Sequence, residues 1–250
     1  PHAPQPTKPQ QPEGQADAAA DVIQERLWAE AAKLELRKRP AGPSTISRIF
    51  GTPLVLFKHA AKLWSNGVLV QAVGIPLRHV LALYGLGLCF MGKVGWRTGL
   101  FAFTLWPISG LGVTAGAHRL WTHQSYKASP FMEALLMVMF SIADQGPIEG
   151  WALTHAMHHS ATDTKWDPHN RKNGFWHAHF GWLFSGKKFR LSTFEYNRVT
   201  HGLGPAVHFH DRNSLWWDPL WSLGVPSLVS GLWGEAWAGL FVAGALRWMA

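Results

Sequence analysis

Cysteine is almost missing from this chain of 250 residues: Cys89 is the only one. That excludes an internal disulfide framework and any cysteine-based zinc or iron–sulfur site. Charge is scarce too, at 15% of residues, where soluble domains carry about 25%. Acid is the scarcer sign, 15 Asp and Glu against 23 Lys and Arg, so the net charge is +8. No cleavable secretory signal is expected in the first 39 residues, which hold no apolar core of the kind such a signal needs. With 47% hydrophobic residues, disorder over most of the chain is excluded. Residue 1 is Pro rather than Met, so the sequence is expected to be a processed form or a fragment.

What is present changes along the chain. Residues 1–43 read as a disordered Pro/Gln-rich tail followed by an amphipathic helix. Asp21 is placed to cap that helix, and Ile23, Leu27, Ala31 and Leu34 fall near a 3.6 period. It ends at the basic run Arg37, Lys38, Arg39, which suits a helix C-terminus. Beyond residue 65 apolar segments dominate. Thr98 to Ala117 carries no charge over 20 residues, about the length that spans a bilayer core. With Val80–Gly92 before it, this predicts a helical hairpin tipped by Lys93, Trp96 and Arg97. A second apolar pair, Pro219–Gly234 and Ala236–Leu246, predicts another hairpin. Phe131–Ala143 is too short for a span and holds Glu133, so it is expected at the interface or buried in protein. Ten Lys and Arg precede residue 79 and ten lie between Arg119 and Arg212. That asymmetry puts the N-terminus and residues 118–212 on the cytoplasmic side. The expected fold is all-α: an integral membrane helical bundle of two hairpins and four spans under a cytosolic helical cap. Mean hydropathy is −0.03, which leaves a soluble protein with buried helices as the alternative.

Histidine is abundant, with 14 in the chain, and two clusters carry the chemistry. His118 and His123 form H-x-x-x-x-H. His155, His158 and His159 form H-x-x-H-H, and positions i, i+3 and i+4 share one face of a helix. Residues five apart are separated by about 500° of α-helical rotation. His118 and His123 therefore converge only if the helix ends or bends between them, or if they serve two metals. Neutral imidazole is a common metal ligand, and a His-rich site without Cys favours iron or zinc. Both clusters follow apolar segments, which places them at the cytoplasmic face, within reach of a lipid chain.

These motifs and their flanks resemble the membrane fatty acid desaturase family, particularly its stearoyl-CoA (delta-9) type. Gly112–His123, with Ser125-Tyr126-Lys127-Ala128, is similar to the family's first His box. His155–His159, followed by Thr162-Asp163-Thr164 and Asp167-Pro168-His169-Asn170, is similar to the second. Gly174-Phe175-Trp176 and His179-Phe180-Gly181-Trp182 are similar to the segment after it. The resemblance covers about residues 73–250 and implies a desaturase domain over 44–250. It implies two iron ions bound by His118, His123, His155, His158, His159 and further histidines. It also implies molecular oxygen as co-substrate and electrons from cytochrome b5 or ferredoxin. The expected activity is introduction of a cis double bond, delta-9, into the acyl chain of an acyl-CoA or acyl-lipid. Membrane lipids are the other expected partners, with no nucleic acid among them. The expected location is the endoplasmic reticulum with a cytosolic site, or a plastid membrane.

Three features depart from the family or extend it. The third box, a second H-x-x-H-H, is not in this sequence, so the last helix is expected to be truncated and the 250 residues inactive alone. Leu153-Thr154 stands where acyl-CoA members commonly have Arg-Asp, and Ala156 where Arg is usual, which removes forks that pair with phosphate. Trp151 matches a family Trp near the bend of the acyl tunnel, and Trp106 and Gly110 share the face expected to close its far end. His169, His177 and His179 are expected to support the fold or the ligands, and His201, His208 and His210 to lie at the surface or interface. The competing readings are a hydroxylase or sterol-type oxidase on the same scaffold, and a catalytically inactive membrane metal-binding protein.

Overall fold

A computed structural model describes residues 68–184 and 191–249. The expected tail and amphipathic helix of residues 1–43 lie outside the described residues. Every regular element among the described residues is helical, with no strand. The order is α1 (Val68–Phe90), α2 (Trp96–Leu111), α3 (Pro130–Ala143), α4 (Ile148–Ser160), α5 (Phe175–His179), α6 (Thr193–His201), α7 (Pro205–Pro219), α8 (Val225–Gly231) and α9 (Ala236–Ala238). Wider i→i+5 turns extend α2 through Gly112–Thr122, join α7 to α8 through Leu220–Gly224, and extend α9 through Gly239–Ala245.

α1 and α2 form the first hairpin, turning at Gly92, whose φ of 64° suits glycine. Val73–Phe90 and Trp96–Thr122 are long and apolar enough to cross a membrane, yet only 17% and 28% of their apolar windows are buried in protein. Leu77, Val80, Leu83, Phe90, Leu100, Phe103 and Leu111 face outward. So much exposed apolar surface fits lipid as the surrounding solvent. The second hairpin is also formed, but of shorter α and i→i+5 pieces, and it does not reach that length and hydropathy. Its tip meets the first: Glu235 Oε2 accepts the Gly95 N–H at 3.1 Å, and Trp233 Nε1 donates to Thr98 Oγ1 at 2.8 Å. Gly85 lets α1 approach the Phe241 backbone so closely that a Cβ would collide with its carbonyl.

α3 behaves as its length implied. Leu136, Met137, Phe140 and Ile142 are buried while Phe131, Met132 and Leu135 are exposed. Its core face joins Ala117, Leu120, Trp121, Ile148, Leu203 and Val207, so one cluster ties the extension of α2 to α3, α4 and α7. The chain bends by 82° between α3 and α4. Asp144 ends α3 in the left-handed region, with φ 52°. Arg247 is buried near this bend and donates to the Ile142 carbonyl at 2.5 Å, the Ala243 carbonyl at 3.0 Å and Ser109 Oγ at 3.2 Å. Three segments thereby share one cation that would otherwise be stranded.

Candidate metal centre

The geometry of H-x-x-x-x-H comes from a change of helix type. From Gly112 the backbone widens to i→i+5 turns, and the His123 N–H donates to the His118 carbonyl at 3.0 Å. Thr122 Oγ1 closes a parallel bond to the Ala117 carbonyl at 2.7 Å. One such turn stacks residues five apart, as an α turn stacks residues four apart. His118, and His123 as the residue that caps the segment, therefore lie ring to ring at 4.6 Å. Gly112 opens the segment because α3 crosses there: a Cβ would collide with the Met139–Phe140 peptide.

α4 supplies the other half. Ala152 and Ala156 are buried with Val199 of α6, so small residues let these two helices pack closely. His155 and His159 are one α turn apart with ring centroids at 4.6 Å. The two pairs interlock, His118 against His155 at 4.7 Å and His123 against His159 at 4.7 Å. One nitrogen of each ring lies within 4.8 Å of all the others. His155 Nε2 and His159 Nε2 face each other at 3.0 Å.

His158 is not brought into that quartet. Its Nδ1 meets Asp167 Oδ1 at 2.8 Å, and its ring lies 5.4 Å from that of His169. Asp167 is buried and accepts also from the His169 N–H at 2.8 Å and the Asp163 N–H at 2.9 Å. A carboxylate on Nδ1 fixes the proton there and leaves Nε2 as a lone pair. The Asp167-Pro168-His169-Asn170 turn thus orients His158, a role the spacing of the sequence did not reveal.

Electrostatics favour neutral rings at His123, His155 and His159. Burial, then the neighbouring His159, His118, His123 and His158, push His155 down to about 3. His123 is lowered by burial first, then by His159, His118 and Arg198. His159 is lowered by burial and by His158 and His118. Four converging imidazoles are a donor set fitted to a borderline metal such as iron or zinc. Arg198 Nη1 also donates to the Thr122 carbonyl at 2.9 Å, steadying the backbone just before His123.

Beside the quartet lies a cavity of about 630 Å³ lined by Trp151, His155, Gln145, Arg78, Asp144 and Trp248, among others. Trp151 stacks on His155 at 4.8 Å and 20°, with its Nε1 donating to Gln145 Oε1 at 2.8 Å. Arg78 reaches Asp144 at 2.8 Å on the cavity wall, and its guanidinium carbon lies 5.2 Å from the centroid of the Trp248 ring. His169 and His179 line the cavity as well.

Trp106 and Gly110 do not line this cavity. Trp106 is 51% exposed on the outer face of α2, and nothing lies within 4 Å of a Cβ built on Gly110. Their shared face is turned to the surroundings, because Thr98, Leu105 and Ser109 occupy the packed side of that helix. His201 and His208 are exposed. His210 is not at the surface: it is completely buried, which its two aspartate partners make possible.

Among known proteins, no family profile matches the chain. Curated relatives do. An acyl-CoA Delta(11) desaturase of Spodoptera littoralis is 36% identical over 203 residues, 79% of this chain and 59% of the relative. An acyl-CoA Delta-9 desaturase of Acheta domesticus is 35% identical over 198 residues, 74% of this chain and 51% of the relative. The Delta(9)-fatty-acid desaturase fat-7 of Caenorhabditis elegans is 47% identical over 126 residues, 50% of this chain and 35% of the relative. The chain belongs to the membrane fatty acid desaturase family. The matched stretch spans between 35% and 59% of the length of these three relatives.

Proposed function

We propose that this chain carries the metal-binding part of an oxygen-dependent fatty acyl desaturase that introduces a cis double bond into a saturated acyl chain. The observation that carries the reading is the convergence of His118, His123, His155 and His159 beside a cavity walled by Trp151. His158 is the fifth proposed ligand, through Nε2, with Asp167 holding its other nitrogen. A two-iron centre needs more ligands than these five, and by family resemblance they come from a third H-x-x-H-H box. When bound, the iron pair supplies the oxidising power that an unactivated C–H bond demands.

The chain's own residues do the rest. Trp151 stacks on His155 and holds its ring in plane. The cavity receives the acyl chain and holds it beside His155. In the overall reaction two hydrogens leave adjacent carbons, and molecular oxygen takes them up with two further protons and two electrons to give two waters. Cytochrome b5 or ferredoxin is the proposed electron donor. The names of the relatives support an acyl-CoA substrate. Leu153-Thr154 and Ala156 keep an acyl-lipid as the second candidate, since no arginine fork stands at these positions of the box. Delta-9 is the proposed position, in an endoplasmic reticulum membrane.

The test is expression of the protein from its complete coding sequence in a host lacking its own desaturase, followed by mass spectrometry of the lipids. A monounsaturated cis product that disappears in His155→Ala supports the reading. A hydroxylated product points to the oxidase alternative, and no product from a metal-loaded, folded protein refutes both.

A further inference from the structure

α4 carries all three histidines of the second box, yet it has no cap of its own. Pro147 stands at the N-cap position and offers no side-chain acceptor. The acceptors come from α7, far along the chain. Asp211 Oδ1 accepts the Ile148 N–H at 2.8 Å, and Oδ2 accepts the Glu149 N–H at 3.0 Å. A carboxylate here satisfies two orphan donors and complements the helix dipole.

Asp211 is itself held in place. His210 Nδ1 lies 3.2 Å from Asp211 Oδ1, and His210 Nε2 lies 2.8 Å from Asp218 Oδ1. His210 is 0% exposed and Asp218 2%. Phe140 of α3 meets the His210 ring edge-on at 5.7 Å. Ile148, whose N–H is capped, is also 0% exposed, so the first turn of α4 is gripped by backbone and side chain together.

His155 lies two turns further along α4, about 10 Å at 1.5 Å per residue. A helix this short moves as a rod, so any slide or rotation at Ile148 reaches the imidazoles. Metal-site geometry tolerates displacements of only about 0.5 Å. We propose that Asp211 is a positioning residue for the metal-binding histidines: it sets the axial position and rotation of α4, and His210 and Asp218 hold its carboxylate. This rests on the reading of His155, His158 and His159 as metal ligands.

The test uses the full chain, purified metal-free and titrated with Co²⁺, whose visible absorption reports ligand number and geometry. Asp211→Asn keeps the shape but turns an amide N–H toward a backbone N–H. His210→Gln leaves Asp211 present without its partner. Glu235→Ala is the control, since it removes a cap from α2 at the hairpin tip. Asp211→Asn and His210→Gln are expected to weaken Co²⁺ binding at least tenfold and to alter its absorption bands. Glu235→Ala is expected to lower the melting temperature with Co²⁺ affinity and bands unchanged. Wild-type affinity and bands in Asp211→Asn would overturn the proposal. If Asp211→Asn does not fold, His210→Gln decides by the same criterion. If wild type shows no Co²⁺ band that His155→Ala removes, the metal reading itself falls and takes this inference with it.

Discussion

His210 makes stability depend on pH in a direction that can be worked out. It is buried between Asp211 and Asp218, and its pKa is raised to about 9: burial opposes the charge, but the two hydrogen-bonded carboxylates outweigh it. An unfolded histidine titrates near 6.5. The folded pKa is the higher one, so the stabilisation is complete below about pH 6.5, declines above it, and is lost once pH passes about 9. The gap of roughly 2.5 units corresponds to about 3 kcal/mol at 1.36 kcal/mol per unit. For a protein of this size that is about 6–12 °C in melting temperature. The assay is thermal unfolding in detergent at pH 6.5, 8 and 9.5, for wild type and His210→Gln. Wild type should lose several degrees more than the variant across this range. Parallel profiles for the two proteins would refute the assignment of a charged His210.

Three further outcomes are expected. Asp167→Ala frees the ring of His158 and should weaken metal binding by about 10–100-fold, as loss of a carboxylate behind a ligating histidine does elsewhere; metal titration measures it. Because burial and neighbouring rings lower the pKa values of His123, His155 and His159, protons should displace a bound metal only below the usual histidine range; metal retention after dialysis at pH 7, 6 and 5 checks this. Gly112→Val should destabilise the fold by about 1–3 kcal/mol or more, since its side chain meets the α3 backbone; thermal unfolding beside wild type reports it.

Local pattern was enough to read the helical class, the first hairpin, the short α3 and both histidine clusters. Periodicity and the absence of charge are properties of neighbouring residues, and each of these elements follows from them. The second hairpin was legible as a helix pair, but its division into short α and i→i+5 pieces was not. Spacing put Trp106 and Gly110 on one helix face, yet which face meets the cavity depends on neighbours far away in the chain. The convergence of His118 and His123 was visible only as a puzzle of spacing, because α-helical rotation sends them apart.

Composition and spacing alone therefore determined that this is a histidine-rich helical protein with long apolar segments and two candidate ligand boxes. Tertiary structure decided how those boxes meet. The widened turns after Gly112 bring His118 over His123, Asp167 holds His158 by its Nδ1, and Asp211 caps α4 from a helix more than sixty residues away. These arrangements depend on contacts between segments and on a local change of helix type. Neither leaves a periodic trace in the chain that makes it.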